Sequence, residues 1–139
     1  MKFNSWNECI EFNSALRITP DRAKSNSLVE TAKSRSIFLK KVSLNEESAN
    51  FIFEGYYSSL IELLHSIVIL KGYNVDNHVC LGFYIRDVLK DDKLYDNFDD
   101  VRRKRNFLVY YGKMMEFEVA KEAIMRTRKV IDEILKLVL

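Results

Sequence analysis

The 139-residue sequence has few residues that interrupt regular structure, since it contains one proline and four glycines. Pro20 is the single position where the backbone lacks an N–H donor, so long helices are possible over most of the chain. Only two cysteines occur, Cys9 and Cys80, and they lack the close spacing of a zinc site or a redox motif. We therefore expect both to be buried thiols in a reducing compartment, and we expect no bound metal.

Long apolar runs are also missing. No stretch reaches the ~20 residues needed to cross a bilayer without meeting a charge, and residues 1–6 lack the apolar run of a signal peptide. The net charge of +2 excludes a global field that would attract nucleic acid, so such a partner would need a local patch. The length fits one domain with a real core. These observations predict a single cytoplasmic domain over residues 1–139, without membrane contact.

Helical periodicity dominates the pattern of apolar residues. Helical segments are predicted from Phe3 to Leu16, from Pro20 to about Val42, over residues 44–70, over residues 78–89, around residues 102–112, and from Phe117 to the C-terminus. Thr19 is the expected cap of the second segment, and Ser43 with Glu46 resembles a capping box before the third. Strand signals and repeats are absent. Short connections between helices predict an all-α, up-and-down bundle of about five helices.

The third predicted helix has an unusual second face. Half of its wheel is apolar, whereas the other half carries small or weakly polar residues, including Gly55, Ser59, Glu62 and Ser66. Two interpretations remain open, namely close approach of another helix, for example across a dimer, or a cleft lined by Glu62 and His65. A single histidine or glutamate on a helix is usually structural, which favours close packing. Because symmetric dimers are the commonest soluble oligomers, we predict a homodimer.

The basic run at residues 102–105, Arg-Arg-Lys-Arg, is the strongest candidate for a functional site. Arg103 and Lys104 follow Asp99 and Asp100 by four residues, the favoured spacing of helical ion pairs, so they are expected to be paired and exposed. Arg105 instead falls in the apolar register of its helix. Because an inward-pointing guanidinium needs an anion or several acceptors, Arg105 is expected in an internal ion pair or at an anion-binding site.

Two stretches carry motifs that resemble a known family. The first contains Gly-Tyr-Tyr at residues 55–57, Leu-Lys-Gly-Tyr at residues 70–73, and a helix that begins at His78. The second is Arg-Asn-Phe-Leu-Val-Tyr-Tyr-Gly at residues 105–112. Their order and spacing resemble the HEPN family, named for higher eukaryotes and prokaryotes nucleotide-binding, over most of residues 45–135. The helical bundle expected of that family agrees with the one predicted above.

The resemblance implies an Arg-x4–6-His motif that acts on an RNA phosphodiester without a metal or other cofactor, often in a cleft between two protomers. Arg105 matches the motif arginine, Asn106 matches the polar residue after it, and Tyr110 occupies the histidine position. Tyrosine has an unperturbed pKa of ~10 and is a poor general base at neutral pH. On an ideal helix Arg105 and Tyr110 lie about 140° apart, so they are expected to meet only through a bend or a second protomer.

Two classes of function follow from the resemblance, and whether the chain is an enzyme stays open. The first is a HEPN-like protein that binds RNA, a nucleotide or a minimal nucleotidyltransferase partner around Arg105, in a toxin–antitoxin or defence-type system. The second is an active metal-independent endoribonuclease that uses Arg105 and Tyr110, or a distant histidine such as His65. The third hypothesis is a helical oligomerisation module that binds no ligand. Further binding candidates are Arg102, Asn106, Tyr111, Glu62 and His65.

Overall fold

The computed structural model describes residues 2–138. Its helices are α1 (Trp6–Glu11), α2 (Arg22–Lys40), α3 (Ala49–Leu70), α4 (His78–Phe83), α5 (Asp92–Tyr110) and α6 (Phe117–Val138), and its strands are β1 (Ala15–Arg17) and β2 (Tyr73–Val75). Helix α4 continues directly into a π-helical turn, Tyr84–Val88. The prediction of an all-α, up-and-down bundle is confirmed. Within the described part of the chain, no helix is both long enough and apolar enough to span a bilayer.

Helix α3 occupies the centre of the bundle. It packs against α2 and α6 along its length and also contacts α4, α5 and β2. Its fully buried side chains include Phe53, Tyr57, Leu60, Leu64 and Val68. A helix that is apolar over most of its circumference is stable only when other elements cover it. The surrounding helices are therefore arranged by the need to cover α3.

The small residues of α3 are covered by α2 of the same chain. A Cβ atom built on Gly55 would lie 2.9 Å from Cδ1 of Leu39, so glycine allows the two helices to approach closely here. About three turns further along α3, the Ser66 carbonyl accepts a hydrogen bond from Ser25 Oγ of α2 at 3.0 Å. The prediction of close helix packing is confirmed. The contact is intramolecular, however, so this stripe is not the face through which a dimer would form.

The predicted first helix is too long, and a two-stranded ladder was not expected. Helix α1 ends at Glu11, and Asn13 then adopts a φ of 64°, a left-handed conformation that asparagine tolerates better than most residues. The chain leaves the helix there and forms β1, which pairs antiparallel with β2 and places Leu16 opposite Asn74. Leu16 continues the helical stripe of the sequence, and three residues are too few to display strand alternation.

Two of the predicted helix starts are also different in the structure. Helix α2 is capped by Asp21, whose side chain accepts a hydrogen bond from the Lys24 amide at 2.9 Å, and not by Thr19. The capping box of Ser43 and Glu46 is not formed, because α3 begins later, at Ala49. Both shifts are small and leave the order of the helices unchanged.

Cys9 and Cys80 are not free thiols. They form a disulfide that joins α1 to α4 across 71 residues of sequence. The prediction of thiols is wrong because the spacing of two distant cysteines does not reveal that the fold brings them together. Disulfides persist mainly in oxidising environments. The cytoplasmic localisation loses one of its supports and stays a prediction.

Candidate anion-binding site at Arg105

Arg105 lies between two tyrosine rings. Its Cζ atom is 5.5 Å from the centre of the Tyr57 ring, on α3, and 5.9 Å from the centre of the Tyr110 ring, on α5. Both distances are within the ~6 Å over which a cation is attracted to an aromatic face. Arg105 and Tyr110 therefore meet within one chain. The expectation that they need a second protomer or a helix bend is wrong, because the reach of the arginine side chain spans their angular separation.

The three cations before Arg105 form ion pairs with two acidic residues of the same helix. Arg102 donates from Nε and Nη2 to Asp99 Oδ1 at 3.0 and 2.8 Å, and Arg103 Nη2 lies 3.0 Å from Asp99 Oδ2. Lys104 Nζ lies 2.8 Å from Asp100 Oδ2. The predicted ion pairs of Arg103 and Lys104 are confirmed. The Arg103 side chain is 70% exposed as expected, but that of Lys104 is only 24% exposed because it also binds α6.

Arg105 differs from its neighbours because no carboxylate within residues 2–138 pairs with it. Its Nε atom is buried and has no hydrogen-bond partner among these residues. A buried donor without an acceptor is costly, and more so when the group is charged. The rings of Tyr57 and Tyr110 stabilise the positive charge but provide no acceptor in the plane of the guanidinium. An anion beside the guanidinium would balance its charge.

The Tyr57 phenol is held in the core and bound to His78. Its ring stacks on Phe98 of α5 with 6.5 Å between ring centres, and its hydroxyl lies 2.9 Å from His78 Nδ1. Burial raises the pKa of Tyr57 well above its usual value, so the phenol keeps its proton at physiological pH. Which of the two atoms donates is set by the tautomer of His78.

Two features of the site keep His78 uncharged at physiological pH. Burial and then the nearby positive charge of Arg105 lower the pKa of His78 to about 4. Asn77, and not His78, caps α4 by accepting a hydrogen bond from the Cys80 amide at 2.8 Å. No cluster of metal-ligating side chains occurs among residues 2–138.

Two predicted site residues serve the α2–α3 interface. Arg35 of α2 donates from Nη1 and Nη2 to the two carboxylate oxygens of Glu62, the second at 3.1 Å. His65 follows three residues later on α3, and its pKa is lowered by burial and then by Lys24 of α2. Neither side chain hydrogen-bonds or pairs with Arg105. The cleft interpretation of Glu62 and His65 is therefore replaced by helix packing and an interhelical ion pair.

Of the other predicted site residues around the end of α5, Tyr110 contacts Arg105, whereas Asn106 and Tyr111 differ from it in their surroundings. Asn106 is half-buried, and no hydrogen bond joins it to Arg105 or Tyr110. Tyr110 and Tyr111 are each 70% exposed. The Tyr111 ring packs on Phe107 with 5.5 Å between ring centres. Arg105 is thus anchored at its inner side by Tyr57, while its outer side faces an accessible aromatic surface.

Tyr57 and His78 are the members of the site that helical wheels did not identify. Periodicity assigns Tyr57 to the core, which is correct, and gives no reason to pair it with His78 on another helix. The available signal was that both residues belong to the stretches that resemble the HEPN family. Only the fold shows that these stretches converge on Arg105.

Comparison with known proteins adds no relative to this description. The chain matches no protein-family model, no curated protein and no solved structure. The HEPN resemblance thus depends on the sequence motifs alone, and it stays a hypothesis.

Because the pKa of His78 is low, we expect the free energy of unfolding to depend on pH. The unfolded-state value is ~6.5 and the folded-state value is about 4, so folding opposes protonation. The stabilising contribution is complete above pH 6.5 and is lost as the pH falls towards 4, by roughly 1–2 kcal/mol because solvent screens this partly exposed group. Urea unfolding at pH 7 and pH 4 should show a smaller loss of unfolding free energy for His78→Gln than for the wild type. An identical loss in both proteins would contradict this assignment.

Proposed function

We propose that this chain is a HEPN-like protein that binds a phosphate-bearing ligand, RNA or a nucleotide, at Arg105. The observation that carries the proposal is the buried, unpaired Nε of the one cation in the basic run without a carboxylate partner in the described chain. A guanidinium stays charged at any physiological pH and can hold a phosphate through two parallel hydrogen bonds. The Tyr110 hydroxyl, whose ring lies against Arg105, can add a further donor.

Binding is favoured over cleavage because the site offers donors and a cation but a weak set of bases. The position of the family's histidine holds Tyr110, and a phenol rarely abstracts a proton at neutral pH. The nearby imidazole of His78 shares a hydrogen bond with the Tyr57 hydroxyl through Nδ1 and has a pKa of about 4, which makes it a weak base. The loss of a well-placed general base costs about 10²–10⁴-fold in rate. Phosphate binding does not require one.

The first test compares two arginines of the same helix. Arg105→Ala should weaken binding of a fluorescein-labelled single-stranded RNA, and of ATP, by at least about tenfold, since a hydrogen bond to a charged group contributes roughly 1.5–3 kcal/mol. Arg103→Ala removes the same charge from an exposed, already paired position and should change either affinity by less than about twofold. Fluorescence polarisation and calorimetry provide the affinities, and circular dichroism confirms that both variants fold. Equal losses in the two variants would indicate nonspecific attraction and refute a site at Arg105.

A metal-independent endoribonuclease is the second candidate function, and one observation favours it. A histidine lies near Arg105, because His78 is hydrogen-bonded to Tyr57 and the Tyr57 ring lies against Arg105. If this imidazole replaces the missing motif histidine, then Tyr110 is dispensable for cleavage.

Four proteins distinguish binding from cleavage when incubated with labelled RNA and excess EDTA. With binding as the function, the wild type and Tyr110→Phe should leave the RNA intact, whereas Tyr110→His should create or increase cleavage by restoring an imidazole beside Arg105. Brisk wild-type cleavage that His78→Gln abolishes would instead establish the ribonuclease, with His78 as the base. Brisk cleavage that Tyr110→Phe abolishes would assign the same role to Tyr110.

The proposed partners are a second copy of the chain or a minimal nucleotidyltransferase, as in toxin–antitoxin or defence-type systems. The surface that supports a partner is the exposed apolar cluster beside Arg105, which consists of Phe107, Val109, Tyr110, Tyr111 and Met114. Large apolar patches on soluble proteins often mark interaction sites. A partner here would cover the mouth of the Arg105 site.

Light scattering tests the homodimer at micromolar concentration. The wild type should have twice the mass of one chain, and Tyr111→Asp should shift it towards the monomer by placing a charge within the apolar cluster. Phe51→Asp is the matched control because Phe51 is also exposed, at 64%, but lies on α3 outside the cluster. A monomeric wild type would remove the homodimer from the proposal and leave the nucleotidyltransferase as partner.

A further inference from the structure

A cavity of about 210 Å³ lies between α2, α3 and α6. Its floor is apolar and includes Ala32, Leu63 and Ile131, all of which are nearly inaccessible to solvent. None of the Arg105 site residues lines it. Typical sites for drug-sized ligands have volumes of ~300–1,000 Å³, so this cavity suits a smaller molecule.

Tyr56 contributes a solvent-accessible hydroxyl to this cavity. It is adjacent to Tyr57 on α3, but successive helical residues point in different directions, and Tyr56 lines the cavity whereas Tyr57 contacts Arg105. Its side chain is only 3% exposed, and no hydrogen bond within residues 2–138 involves its hydroxyl. Burial raises the pKa of Tyr56, so the phenol keeps its proton. The cavity therefore contains a donor without a protein acceptor.

Positive charge dominates the rim of the cavity. The Arg128 guanidinium of α6 lies 5.6 Å from the centre of the Tyr56 ring, and Lys33 and Lys40 line the α2 side. None of these three cations forms an ion pair within residues 2–138. Among residues 2–138, Asp132 is the one carboxylate in the lining. Three cations against one anion favour a negatively charged group above the apolar floor.

We propose that this cavity binds a small organic carboxylate with an apolar body. The carboxylate accepts hydrogen bonds from the Tyr56 hydroxyl and the Arg128 guanidinium, and the apolar body lies on Leu63 and Ile131. A carboxylate with an apolar body fits better than a phosphate because the floor beneath the cations is apolar. The site is separate from Arg105, so it does not depend on the function proposed for that residue.

Hexanoate and hexanamide are the probes that test this proposal. They have the same apolar body, but only hexanoate is charged. In a titration of the isotopically labelled full chain followed by NMR, hexanoate should shift the amide signals of Ala32, Leu63 and Ile131 in a saturable manner. Hexanamide should bind at least about tenfold more weakly because it lacks the charge that Arg128 would meet.

Two variants distinguish the effect of the Tyr56 hydroxyl on hexanoate binding from the effect of surface charge in general. Tyr56→Phe keeps the ring and removes the donor, so it should weaken hexanoate binding by about threefold to tenfold. Lys129→Gln removes an exposed cation next to Arg128 that does not line the cavity, and it should leave the titration unchanged. Arg105→Ala should also leave it unchanged, which distinguishes this cavity from binding of the carboxylate at Arg105.

Three results obtained with the probes would overturn the proposal. They are the absence of signal shifts around the cavity with saturating hexanoate, equal affinity for hexanoate and hexanamide, and loss of the shifts in Arg105→Ala. Signal broadening at these residues that grows with protein concentration, without any probe, would also overturn it by identifying this face as a contact between copies of the chain.

Discussion

The burial of α3 is the constraint on which the rest of the structure depends. Apolar side chains surround most of this helix, so α2, α5 and α6 must all pack against it. The packing of α5 has a direct consequence for the candidate site. Phe98 stacks on Tyr57, and Arg105 follows Phe98 by two helical turns on the same face of α5. The contact that seats α5 on the core therefore also carries the Arg105 guanidinium to the Tyr57 ring.

The strongly periodic parts of the fold could be predicted from the sequence. The apolar stripe from Phe117 to Val138 corresponds to α6 from end to end. The small residues around Gly55 correctly indicated that another helix comes close to α3. Their pattern could not identify that helix, because a close approach requires the same glycine whether the neighbour comes from the same chain or from a second one. The ladder between β1 and β2 and the Cys9–Cys80 bond depend on residues distant in sequence, which local patterns do not contain.

The central residue of the candidate site, Arg105, could be predicted from the sequence, but the residues around it could not. The helical register of Arg105 indicated an inward position, and the structure places its Nε in a buried environment. The angle between Arg105 and Tyr110 on a wheel describes only where their Cα–Cβ bonds point. An arginine has several rotatable bonds beyond Cβ, so its charged end can reach a ring that the wheel places on another face. The neutral state of His78 also depends on burial and on a charge from another helix.

The Cys9–Cys80 bond turns residues 9–80 into a covalent ring that contains α2 and α3, while α5 and α6 lie outside it. The connection between α2 and α3 is accessible, since residues 43–47 are all exposed. A protease that cut this connection would break the ring without separating the molecule. The two pieces would stay joined through the disulfide and come apart only on reduction. The central helix is thus secured to the N-terminal segment by a linkage that does not rely on the continuity of the loop leading into it.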